Sequence, residues 1–86
     1  MFKIWAKTII NHKVRKNEIF VFEERFDASL FWDYLAEICY KLDLPTPVLL
    51  SKHVNSFVEF HSAKFVPGDF IDAVDFDELV LEDVVI

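Results

Sequence analysis

The chain has 86 residues, 53% of them hydrophobic, with 15 acidic side chains against 9 basic ones and a net charge of −6. So short a chain supports one hydrophobic core, because two would each be too small to offset chain entropy, and a single compact domain spanning residues 1–86 is expected. The acidic balance excludes a general nucleic-acid binder, which needs many phosphate contacts from Lys and Arg, and it disfavours anionic membranes.

Phe2, Ile4, Ala6, Thr8 and Ile10 alternate with Lys3, Trp5, Lys7 and Ile9, a period of two that predicts a half-buried strand. Asn11 to Asn17 is a polar break, and Glu18 to Phe26 predicts a second strand through Ile19-Phe20-Val21-Phe22. The break permits an antiparallel hairpin with a long tip, and no Asn-Gly pair fixes a tight turn. Asp27 or Ser29 is placed to cap a helix running to about Leu42. Phe31, Leu35, Ile38 and Leu42 form its apolar stripe, Tyr34 and Cys39 flank it, and Asp33, Glu37 and Tyr40 face away. Pro45 and Pro47 end the element.

Val48-Leu49-Leu50 reads as a short buried strand. Ser51 is placed to cap a brief helical turn joining Val54 and Phe57, while the partial alternation of Phe57 to Phe60 leaves an extended reading open. Ala63 to Val66 predicts a strand closed by the Pro67-Gly68-Asp69 turn, and Leu79 to Val85 a last one. The order strand, strand, helix, strand, strand, strand implies α+β: a small mixed or antiparallel sheet with one main helix on one face.

Charge is distributed unevenly along this order. Residues 1–17 carry Lys3, Lys7, Lys13, Arg15 and Lys16 and no carboxylate; residues 69–86 carry Asp69, Asp72, Asp75, Asp77, Glu78, Glu82 and Asp83 and no base. If the last strand lies beside the first, Glu82 or Asp83 comes near Lys3 and Lys7, and the gradient is consumed inside the fold. If it does not, the acidic segment is a contact surface.

Little in the chain carries chemistry. Gly68 is the sole glycine, and a phosphate cradle needs several. Cys39 falls on the inner flank of the helix, where a free cysteine acts as apolar filler, and no histidine neighbours it in sequence. A lone cysteine also excludes an internal disulfide and suits a reducing compartment. Lysines interrupt the apolar N-terminus, and no stretch approaches the roughly 18 apolar residues of a membrane span, so a cytoplasmic protein is expected. His12, His53 and His61 hold no recognised metal spacing, and His53, Glu59 and His61 are the best histidine–carboxylate set available. The acidic series lacks the central glycine and terminal glutamate of a calcium loop. No cofactor is implied.

Several segments together resemble a set of short bacterial proteins that have no assigned activity. They are Phe2 to Lys7, Ile38 to Pro45, then Pro47, Val48 and Leu50, then Phe65 through Phe70-Ile71, and Asp75 to Leu79. The resemblance implies a bacterial origin and one compact domain, and carries over no catalytic or binding residue.

Ten Phe, two Trp and two Tyr remain to be placed, at roughly 150–250 Å² of buried surface each. So many rings overfill a small interior, and exposed apolar patches mark association. The sequence therefore points to a non-enzymatic interaction module that associates with itself through an aromatic or edge-strand surface. Trp5, Lys13, Arg15, Lys16, Trp32 and Tyr40 are the candidate contact residues. The alternative is an acidic inhibitor mimicking nucleic acid, of the kind carried by phage against bacterial defence. A small histidine–carboxylate metal site ranks third.

Overall fold

The computed structural model describes residues 1–84. Four strands and two helices succeed one another in the order β1 (Phe2–Ile10), β2 (Lys13–Phe22), α1 (Phe31–Lys41), α2 (Ser51–Phe60), β3 (Ser62–Phe65) and β4 (Glu78–Asp83). The class is α+β. All strand pairs are antiparallel and the sheet order is β2-β1-β4-β3, so the first and last strands lie side by side at its centre.

The period of two in β1 becomes a division between two faces. Ile4, Ala6 and Thr8 are buried with Phe20, Phe22, Ala63, Phe65, Leu79 and Leu81. Their neighbours in β1 (Lys3, Trp5, Lys7 and Ile9) point to the other side. Against the buried face packs the stripe of α1, with Phe31, Tyr34, Leu35, Ile38 and Cys39 all buried. The rings contact one another in stacked and edge-on pairs, among them Phe2–Phe22 at 4.8 Å and Phe31–Phe57 at 5.1 Å between centroids.

The hairpin is tighter than its sequence implies. Its strands run through the polar break, and Ile10 pairs with Lys13 across a two-residue loop, Asn11-His12. Both loop residues have positive φ, 51° and 66°, as a type I′ turn demands. Asparagine tolerates that region, and the Asn11 amide is held by the Asp77 carboxylate at 2.8 Å. The polar run therefore becomes the first half of β2, and Glu23 to Phe26 leave the strand. Any Cβ at positive φ costs energy that glycine avoids, so His12→Gly is expected to stabilise the fold by up to about 1 kcal/mol. In a domain this size the full amount is a rise in Tm of roughly 4–8 °C, read by thermal melting.

Asp27 accepts from the Ser29 amide at 3.0 Å and caps a single 3-10 turn that leads into α1. The far end of α1 closes with Asp43 in the left-handed region (φ 58°), the Asp43 amide on the Tyr40 carbonyl and the Leu44 amide on that of Cys39. This is a Schellman motif with aspartate in the position usually held by glycine.

The third predicted strand is absent. Val48 to Leu50 is extended but unpaired in the sheet, its Val48 amide donating to the Asp69 carbonyl. Pro45 and Pro47 lie just before it and carry no amide hydrogen, so the run cannot be lengthened backward into a ladder. Next in the chain comes the full helix α2, in place of a brief turn, and its inner side buries His53 and Phe57. Val85, which the sequence pattern includes in the last strand, lies outside the described residues.

Candidate functional site

The helices cover one face of the sheet and leave the other open. Across that open face two ion pairs span neighbouring strands, Lys7–Glu82 at 2.8 Å and Lys64–Glu78 at 2.8 Å. Beneath them Val80 is buried although it belongs to this side. The β3–β4–β1 part of the face is thus a charged ladder roofing a valine. Cross-strand pairs of this kind contribute about 0.2–1 kcal/mol each.

The β1–β2 side is different. Trp5 stands opposite Ile19 and Lys3 opposite Val21. Ile19 and Val21 are each about half exposed, at 53% and 51%. Trp5 lies partly covered, its Nε1 donating to the Asn17 Oδ1 at 3.4 Å and the Lys7 Nζ sitting 4.0 Å from its ring centroid. Lysine over indole is an attractive arrangement that keeps the ring in place. The result is an aliphatic strip, Ile19 and Val21, shouldered by a fixed tryptophan.

That strip lies on a free strand edge. The Lys3 carbonyl accepts from the Val84 amide and the Ile9 carbonyl from the Asp77 amide, so odd-numbered residues of β1 turn their backbone polar groups toward β4. Even-numbered residues of β1 then pair with the even-numbered residues of β2. Asn17, Ile19 and Val21 are left with amide and carbonyl directed away from the sheet. β2 is one of the two edge strands, and exposed along all but Phe20 and Phe22. A bulge at Arg15 interrupts the ladder toward the hairpin tip, where Lys13, Arg15 and Lys16 supply further charge. Bulges and basic residues are devices that protect an edge, and here they protect only half of it.

The structure separates the candidate contact residues. Trp5 is on the open face. Trp32 and Tyr40 are exposed, at 50% and 85%, on the outer side of α1, across the sheet from Trp5. Lys13, Arg15 and Lys16 stand on β2 and do not crown a loop. Lys16 has a structural partner, its Nζ donating to the Leu42 carbonyl at 3.0 Å and finishing the C-terminal end of α1. No single patch unites the six residues.

The surplus of rings is accommodated better than composition suggests. Phe20, Phe22, Phe31, Phe57, Phe65, Phe70, Phe76 and Tyr34 are all buried. Among the exposed rings, Trp32, Tyr40 and Phe60, none joins the β2 edge. The apolar strip is mainly aliphatic, and sequence reasoning missed Ile19 and Val21. An uninterrupted run such as Ile19-Phe20-Val21-Phe22 has no polar alternation to say which side faces out.

Much of the acidic segment is engaged inside the fold. Glu82 and Glu78 hold lysines, Asp83 lies 3.3 Å from the His61 Nδ1, Asp77 accepts from Asn11, and Asp69 accepts from the Val66 amide at 2.9 Å. The continuous solvent-facing row that a nucleic-acid mimic requires is broken up accordingly.

His53 is the second residue the sequence misplaced, since it is buried and not on the surface. It occupies the first turn of α2, where its Nδ1 accepts from the Leu50 amide at 3.0 Å. Its ring stacks on Phe65 at 4.3 Å, and its Nε2 faces the Asp69 carboxylate at 3.5 Å, long for a hydrogen bond. Burial lowers its pKa against the opposing pull of Asp69. Ring and carboxylate together tie α2 to the Pro67–Asp69 turn. His61 sits just beyond the other end of α2, about 12 Å along the axis, so the two cannot share an ion. Among the described residues no three His, Cys, Asp or Glu side chains gather as a metal site. Cys39 is buried on the inner side of α1 and desolvation pushes its thiol up to about 11, which leaves it protonated and unreactive at neutral pH.

Among the described residues no helix is long and apolar enough to cross a membrane. Comparison of the chain with protein-family models, curated proteins and solved structures returns no match. The surface chemistry is therefore the sole guide to function.

Proposed function

We propose that this protein is a non-catalytic protein–protein interaction module that associates with itself, working in the cytoplasm through the edge of its sheet. One observation carries the reading: β2 is a full-length edge strand whose free backbone groups at Asn17, Ile19 and Val21 coincide with an exposed aliphatic strip. Unpaired backbone groups beside apolar side chains form a template for adding a strand, with the ladder supplying affinity and the side chains specificity. Among the described residues the thiol is buried, no metal-binding cluster gathers, and Glu82 and Glu78 hold lysines. Sedimentation velocity across a micromolar concentration series tests the proposal. A sedimentation coefficient that rises with concentration is expected. A monomer throughout the series removes self-association.

A further inference from the structure

We infer that the partner on this edge is the β2 strand of a second copy, paired antiparallel about a two-fold axis at Ile19, so that two four-stranded sheets join into one. This pairing rests on the interaction role just proposed and adds to it the partner and the register.

The backbone defines which registers are possible. Only residues whose amide and carbonyl face outward can exchange bonds with a neighbour, and in the regular part of β2 past the bulge these are Asn17, Ile19 and Val21. Pairing Ile19 with Ile19 of the second copy sets Asn17 against Val21 twice and satisfies all three residues, giving about six new backbone bonds. It also places the two Ile19 side chains against one another on the open face, with a Trp5 behind each.

Charge selects the same arrangement. The strand is basic at its start, with Lys13, Arg15 and Lys16, and acidic just past its end, with Glu23 and Glu24. The complementarity to its own reverse lies in Arg15 and Glu23, since Lys16 is held by the Leu42 carbonyl. With Ile19 on the axis, the bulged Arg15 of each copy comes level with Glu23, the first residue past the strand of the other, at both ends of the junction. A parallel neighbour in matched register would stack like charges instead. The bulge at Arg15 and the basic residues guard the edge against strands lacking acids at that position, and admit one that has them. A two-fold junction of this kind uses up the β2 edge in both copies, so it closes at a dimer.

Three variants read by sedimentation test this, with thermal melting and far-UV circular dichroism as the check on folding. Ile19→Pro deletes an outward amide that β1 does not use, so the hairpin survives and dimerisation is lost. Arg15→Glu opposes carboxylates at both ends of the junction and weakens the dimer roughly tenfold or more. Arg15→Glu combined with Glu23→Arg restores the attraction, and with it a Kd within a few-fold of the parent. A dimer that survives folded Ile19→Pro, or a double variant no tighter than Arg15→Glu alone, overturns the β2 junction while leaving self-association intact through another surface. A parent chain that stays monomeric overturns both.

Discussion

Replacing Phe65 with alanine is expected to cost about 3–5 kcal/mol, the range for removing a fully buried ring from a packed core. Phe65 has no exposed surface and lies between the inner face of β3 and the His53 ring. Deleting it opens a cavity and takes the stacking partner from a buried imidazole. A domain of this size holds only about 5–13 kcal/mol in total, so the loss removes roughly a fifth or more of its stability. Tm should fall by at least about 12 °C, and the urea midpoint should shift in proportion. Phe60→Ala is the comparison. That ring is 72% exposed at the end of α2 and its loss should stay within about 0.5 kcal/mol. Equal costs for the two substitutions would contradict the side assignment of β3 and α2.

The second expected effect is a dependence of stability on pH to which His53 contributes. Burial holds His53 below its ordinary value of 6.5, so the folded protein keeps the imidazole neutral where the unfolded chain has begun to protonate. Between 6.5 and the lowered value the unfolded state binds more protons. Stability is therefore full above 6.5 and is lost as pH falls through that window, with a slope of up to about 1.4 kcal/mol per pH unit for one proton. Asp69 moderates the effect because its charge favours the protonated ring, while Lys52 acts with burial. Urea unfolding at half-unit steps from pH 7.5 downward measures the slope. His53→Asn keeps an acceptor near the Leu50 amide and cannot titrate, so it should flatten the profile while lowering stability at neutral pH. A variant profile as steep as the parent's would mean that another group controls the transition.

Both predictions turn on positions that the sequence discloses unequally. Phe65 sits in an apolar, alternating context and reads as interior. His53 does not, because a histidine counted with the polar residues hides the i, i+4 pair that it makes with Phe57. Counting it with the apolar set lengthens the helical turn at Val54 and Phe57 into α2. The same blind spot admits a strand at Val48 to Leu50, where three apolar residues suggest burial although Val48 and Leu50 are exposed. For the candidate site, Trp5 is legible on the less buried side of an alternating strand. Lys16 is legible as a base only, since its partner, the Leu42 carbonyl, is 26 residues away in the chain.

Local patterning along the chain specified the central strand, the amphipathic face of α1, and the opposition of basic and acidic ends, which β1 and β4 neutralise in part. Periodicity and capping act over a few residues and are written in neighbouring letters. Strand order, the side of β2 that faces out, and the identity of its unpaired amides were decided by long-range pairing, which composition does not encode. The proposed role stands on one physical proposition: a strand whose outer backbone groups have no mate, and whose end charges mirror each other, recruits its own kind. Rapid amide exchange at Asn17, Ile19 and Val21, unchanged between dilute and concentrated solutions, would defeat it.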